Sequence, residues 1–163
     1  MSRELVQVAA WLQPEDFLVD VDVHDATHAL HLIADAIALR HQLEPDRVFR
    51  ALARREAAAS TGIGGGLAIP HGRIGGLTRP LTLLLRARRP IPFRAPDGEP
   101  VSLMLAIMVP EDGDKDEHLQ LLALVAQSFS QPRFRAEVDD ARTAEEIAAA
   151  FRSQVARLGG TSP

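Results

Sequence analysis

The chain has 163 residues, 46% of them hydrophobic and 25% charged, a balance that can bury a core and excludes a disordered polypeptide. A net charge of −4 argues against a broad nucleic-acid surface, and the absence of cysteine removes disulfides. No apolar run reaches the roughly 18 residues of a membrane span, and the opening MSRELVQVAAWLQPEDFLVD, with early acids and a proline, does not read as a secretory signal. The expected location is therefore cytoplasmic, and the expected organisation is one domain over residues 1–158 with a loose tail over residues 159–163. Arginine supplies nearly all the positive charge, since Lys115 is the only lysine.

Asp25 reads as the cap of an amphipathic helix that places Leu30, Ile33, Ala34 and Ile37 on one face. Pro45 opens a second helix, with Val48, Ala51, Leu52 and Arg55 at helical spacing, so Arg55 falls near its end. The glycine-rich run STGIGGGLAIPHGR, Ser60 to Arg73, follows at once. Within it Leu67 to Ile69 reads as a short strand ending at Pro70 and His71, and Leu81 to Arg86 reads as another. PIPFRAPDGEP is a proline-dense loop holding an Asp97-Gly98 turn, and Val101 to Val109 is a continuous apolar run suited to a central strand that Pro110 ends. Asp114 or Asp116 can cap the next helix, with Leu119, Leu122, Ala126 and Phe129 expected inside and His118 in the first turn. A last helix begins at the capping box Thr143 to Glu146 and buries Ile147, Ala150, Phe151 and Val155. Helices alternating with apolar strands give an α/β fold.

The chemistry concentrates at His71. Gly62, Gly64, Gly65 and Gly66 permit positive φ and close backbone approach, and their N–H groups can hold an anion, with phosphate as the natural candidate. No Gly-Lys-Ser/Thr follows, which excludes a nucleotide P-loop, and the strand lies after the glycines, which argues against a dinucleotide fingerprint. A neutral imidazole has a ring lone pair for attack on phosphorus. Arg55, Arg73, the loop amides and the helix end at His118 could stabilise the charge placed on it. Because sites collect at the ends of strands, His71 and His118 are expected to converge. From spacing alone, a turn-filling His71 and a surface His118 fit equally well. A zinc site lacks a third ligand, so no metal and no cofactor are expected. His24, His28 and His31 straddle a helix start and read as solvated, and His41 reads as surface.

STGIGGGLAIPHGR, preceded by Arg55-Glu56 and followed by EHLQLLALVAQSF at Glu117 to Phe129, resembles the enzyme IIA domain of the fructose–mannitol class (EIIA type 2) of the phosphoenolpyruvate-dependent phosphotransferase system. WLQPEDFLVDVD is similar to the family's lead-in, and PIPFRAPDGEPVSLMLAIMVPE to its central turn and strand, in the form of the nitrogen-regulatory branch. Three successive glycines, Gly64 to Gly66, depart from the usual polar break, and Arg73 stands where lysine is also common.

The resemblance implies a central mixed β-sheet flanked by helices and a phosphohistidine phosphocarrier. His71 would be the phosphoryl acceptor (a tele-phosphohistidine), His118 the second active-site histidine and Arg55 the arginine that holds the phosphoryl group. Thr61, Gly62, Gly64, Gly65, Gly66 and Arg73 would support phosphate binding. The implied donor is HPr or its nitrogen-branch counterpart. The output is either a regulatory target protein or, for a sugar-transport IIA, a separate IIB protein. With no cysteine and no spans the chain carries neither a sugar-type IIB nor a IIC part of its own, and neither nucleic acid nor direct membrane insertion is implied. A module that only binds proteins and never reacts is the alternative of another class.

Overall fold

The computed structural model describes residues 13–159, and contacts divide the chain into two compact units, Leu18–Gly113 on the one hand and residues 13–17 with 114–159 on the other. The lead-in as far as Leu12 and the expected tail from Gly160 onward lie outside the described residues, while Gly159 itself ends a helix.

The larger unit carries nearly all of the sheet. Its strands are β1 (Phe17–Val21), β2 (Gly62–Gly64), β3 (Leu67–Ala68), β4 (His71–Ile74), β5 (Leu81–Ile91) and β6 (Val101–Pro110), in the order β1-β5-β6-β3-β2 with β4 also paired to β6. The sheet is mixed: β5 and β6 are antiparallel, β3 and β4 run parallel to β6, and β2 folds back antiparallel on β3. The apolar run at Val101 is the central strand that its composition predicts, buried on both faces from Leu103 to Val109.

Two helices of this unit, α1 (Ala26–His41) and α2 (Pro45–Ala58), pack against one face of the sheet. Asp25 caps α1 by accepting from the His28 amide at 2.8 Å, and Leu30, Ile33, Ala34 and Ile37 are all buried. Val48 and Leu52 of α2 join Leu83, Leu85, Met104, Ala106 and Met108 in the same aliphatic core. His24 and His28 stack with ring centroids 4.5 Å apart, and His31 lies flat on Phe49 at 3.6 Å. His41, expected on the surface, is half-buried.

The smaller unit is built on aromatic packing. A 3-10 turn at Pro14–Asp16 precedes helices α3 (Lys115–Phe129), α4 (Pro132–Asp140) and α5 (Ala144–Gly159), and Phe134 lies 4.8 Å from Phe129 and 5.1 Å from Phe151 between ring centroids. Asp114 caps α3 through the Asp116 amide at 2.8 Å. Thr143 Oγ1 accepts from the Glu146 amide, whereas the Glu146 carboxylate reaches the Arg142 amide, so the expected capping box is present with its return bond one residue early. The inward stripe of α3 is Leu121, Val125 and Phe129 rather than Leu119, Leu122 and Ala126, and Leu119 is 62% exposed. Among the apolar residues of this helix several stripes satisfy helical spacing, and the aromatic neighbours of Phe129 select the one that is buried. Among the described residues no helix is long and apolar enough to cross a membrane.

Candidate functional site

Two corrections to the sequence reading locate His71. It does not end the strand at Leu67 but opens β4, and the glycine run before it is a β-hairpin rather than an open loop. The strands β3 and β4 keep one register along β6, Leu67 facing Leu103 and His71 facing Ile107. They are separated at Ile69-Pro70 because proline has no N–H for the ladder, although the Pro70 carbonyl still accepts from the Ile107 amide at 2.9 Å. His71 thus sits at a break in an otherwise continuous parallel strand.

What brings Arg55 there is a contact between backbones. A Cβ placed on Gly72 would lie 3.0 Å from the carbonyl carbon of Ala51, so α2 approaches β4 closely enough that a side chain there would have to push the helix back by a few tenths of an ångström. Arg55 is one helical turn beyond Ala51 on the same side of α2, and His71 is the residue before Gly72. Seating Ala51 on Gly72 therefore delivers the guanidinium to the ring: Arg55 Nε is 3.1 Å from His71 Nε2, and Arg55 Nη1 donates to the Ala59 carbonyl at 2.7 Å.

The partners of the ring define its tautomer. Nδ1 lies 2.8 Å from the Ile69 carbonyl, which can only accept, so Nδ1 carries the hydrogen. Nε2 then holds the lone pair and accepts from Arg55. Burial holds the His71 pKa below its ordinary value of 6.5, against the Ile69 hydrogen bond; the Arg55 charge acts in the same direction as burial, and Glu56 opposes it. Burial thus favours the neutral ring, Nε2 is the nitrogen with the lone pair, and the Arg55 guanidinium lies against it.

The remaining predicted residues divide clearly. Thr61 donates both its amide and its hydroxyl to Glu56, at 3.0 and 2.5 Å. The Gly62 amide donates to Ser60 Oγ at 3.0 Å, and the Gly65 amide to Asp97 Oδ2 at 2.9 Å. Gly64, Gly65 and Gly66 have φ of +96°, +64° and +78° and turn the hairpin. Arg73 directs Nη1 at the carbonyls of Glu111 and Gly113, 3.5 and 3.3 Å away, past the end of β6. In the structure these donors brace the hairpin and the neighbouring turn, and Arg55 is brought onto His71. His118 lies in the smaller unit, half-buried in the first turn of α3, with its amide 3.2 Å from the Asp114 carbonyl. Among the described residues no group of three histidine or acidic side chains could hold a metal.

Sequence reasoning gave no contact to Glu56, the Ile69 carbonyl or Gly72, and read Asp97 only as part of a turn. Glu56 left a usable signal, an acid beside Arg55 and five residues before a threonine. A backbone carbonyl leaves none, and the Asp97 contact joins residues 32 apart.

The family model described as "Phosphoenolpyruvate-dependent sugar phosphotransferase system, EIIA 2" matches residues 10–154. A nitrogen regulatory protein of Pseudomonas aeruginosa is 33% identical over 144 residues, 88% of this chain and 93% of that protein. A fructose-specific EIIA component of Haloferax volcanii is 32% identical over 102 residues, 63% of this chain and 66% of that one. The crystal structure of nitrogen regulatory protein IIA-Ntr from Neisseria meningitidis superposes with a TM-score of 0.83 at 33% identity, covering 89% of this chain and 99% of that chain. By the extent of the family match and by relatives aligned over nearly their full length, the chain belongs to the EIIA 2 family of the phosphoenolpyruvate-dependent sugar phosphotransferase system.

Proposed function

We propose that the chain is a cytoplasmic phosphohistidine carrier that accepts a phosphoryl group on Nε2 of His71 from HPr or its nitrogen-branch counterpart and has a regulatory output. The observation that carries this reading is the treatment of the two ring nitrogens: Nδ1–H is fixed on the Ile69 carbonyl, and Nε2 faces the Arg55 guanidinium. In the transfer a new Nε2–P bond forms while the N–P bond of the donor breaks, and the departing imidazole keeps that electron pair. The His71 ring becomes cationic with its hydrogen still on Nδ1, where the Ile69 carbonyl compensates the charge, and Arg55 moves to the phosphoryl oxygens. His118 is assigned as the second active-site histidine on the family pattern, and the hairpin residues Thr61, Gly62, Gly64, Gly65 and Gly66 with Arg73 as the frame of the phosphate site. The regulatory output follows the nitrogen regulatory relatives, and added charge at such a site changes which protein it binds.

Incubation with phosphoenolpyruvate, the general phosphotransferase enzyme and HPr is expected to give an acid-labile adduct that His71→Ala abolishes. Label retained in that variant would sink the assignment, and an unreactive wild-type chain would leave a protein-binding module. His118→Ala is expected to slow labelling without removing it. The fructose-specific relative favours a second reading, a sugar-transport IIA. Onward transfer of label to the cysteine of a separate IIB protein would establish that one, whereas a stable phosphoprotein supports regulation.

A further inference from the structure

Arg55 and Glu56 are consecutive residues in the last turn of α2, and the ring of His71 is linked to both. The link to Arg55 is direct, through Nε2. The link to Glu56 runs through the chain. Its carboxylate accepts from the amide and hydroxyl of Thr61, the Thr61 carbonyl accepts from the Ile69 amide at 3.0 Å, and the Ile69 carbonyl accepts from Nδ1 of His71 at 2.8 Å. Each bond fixes the acceptor that the next one uses, so the position of the Ile69 carbonyl depends on where Thr61 is held. Thr61 is buried, and both oxygens of Glu56 are engaged by it. Five hydrogen bonds thus close a circuit from the end of α2, through two neighbouring backbone segments and the ring, back to α2 at Arg55.

Resting on the phosphocarrier reading above, we propose that Glu56 is a positioning residue for phosphoryl transfer, holding Thr61 so that the Ile69 carbonyl fixes the His71 ring in the tautomer and orientation that present Nε2. Glu56 touches neither the ring nor the phosphoryl group in this role. It differs from a generic loop brace because its effect must reach the imidazole. Thr61, which the proposed function puts in the frame of the phosphate site, is also the intermediate member of the relay.

The test uses the full chain with phosphorylated HPr as donor and the 15N spectrum of the His71 ring as a second readout that needs no phosphorylation. Glu56→Ala and Thr61→Val are expected to lower the maximal transfer rate on the order of ten- to a hundredfold with little change in the KM for HPr, the scale of a small misplacement of a reacting group. Both should reduce the fraction of ring in the Nδ1–H tautomer, and the double variant should be no slower than the worse single one. Glu56→Gln can still accept from the Thr61 amide and donate to its hydroxyl, and Thr61→Ser keeps that hydroxyl, so both should recover most of the rate. Wild-type rate and tautomer in Glu56→Ala would overturn the proposal, as would Glu56→Gln as slow as Glu56→Ala with an unchanged tautomer. Should Glu56→Ala fail to fold, the Thr61→Val and Thr61→Ser pair decides by the same criteria. Label surviving in His71→Ala would end the phosphocarrier reading but leave the tautomer measurements as a valid test of the relay.

Discussion

The hairpin Gly62–Ala68 and the strand β4 are adjacent in sequence and pair directly or through β3 with the same central strand, yet the glycine at the hairpin tip and the one in β4 serve opposite ends. At the hairpin tip Gly65 has φ of +64° and nothing within 4 Å of a hypothetical Cβ, so glycine is there for its backbone and space is plentiful. At Gly72 the residue is there for its lack of volume, because Ala51 of α2 already occupies the space a side chain would take. Gly64, Gly65 and Gly66 shape a turn that the Gly65 amide ties to Asp97, while Gly62 packs against Ala95. The quieter glycine beside His71 sets the distance between a helix and a strand, and with it the place of Arg55 against the ring.

The sharpest way to expose this contrast is Arg55→Ala. It removes the cation from Nε2 and is expected to lower the phosphorylation rate by about a hundredfold, the scale of deleting one stabilising donor. The urea unfolding midpoint should move little, and an equal loss of stability and rate would make Arg55 structural. Gly72→Ala comes next. Its methyl group must push α2 away from β4, costing about 1–3 kcal/mol as an overpacked contact does, and moving Arg55 off the ring with a tenfold or greater fall in rate. Gly65→Ala should cost about 1 kcal/mol through its left-handed backbone and leave the rate unchanged. If Gly65→Ala slows transfer as much as Gly72→Ala, the distinction between the two regions fails.

Acid separates the regions again, with smaller effects. His71 has a folded pKa below its ordinary 6.5, so above 6.5 both folded and unfolded chains carry it neutral and its stability contribution is intact. As the pH falls below 6.5 the unfolded chain takes the proton first, and stability declines until the folded pKa is passed. Within that window the folded ring is more often neutral than a free imidazole, so the pH at which single-turnover phosphorylation halves should lie below 6.5, while the unfolding midpoint drifts down. A rate that halves at pH 6.5 would contradict the burial of the ring. Asp97 is depressed below its ordinary 3.8 by the amides of Gly65 and Glu99, so the hairpin clamp persists above 3.8 and is lost only as the pH falls through the lower folded value. The Gly65 amide shift should report that titration, and Asp97→Asn should shift the Gly65 amide at neutral pH with almost no effect on rate.

The parts of the molecule visible from sequence are those whose signal is local and periodic. Asp25 and Asp114 mark helix starts through bonds made within a turn, Pro45 marks one through its fixed φ, and the apolar run at Val101 could hardly be anything but a central strand. The pair His71 and Arg55 was legible because helical spacing puts Arg55 at the end of α2, directly before the glycine run. The short strands β2 and β4 were hidden by glycine and proline, which carry no strand propensity, and their identity comes from pairing with distant partners. The inner face of α3 was mis-phased because its apolar residues are too many to select one stripe. Glu56 was legible as a charge on a helix, but its two bonds to Thr61 require knowing how the chain turns between them.

One contact has a consequence in time as well as in space. The lone pair that accepts from Arg55 Nε is the same pair that would bond to phosphorus, and it cannot do both. In the proposed carrier each loading of the ring would cut the direct tie between Nε2 and the end of α2, and each unloading would restore it. The tie would then be a record of the last event at the site, written in one hydrogen bond and erased by the next transfer. Following the Arg55 Nε proton would let that record be read as it changes.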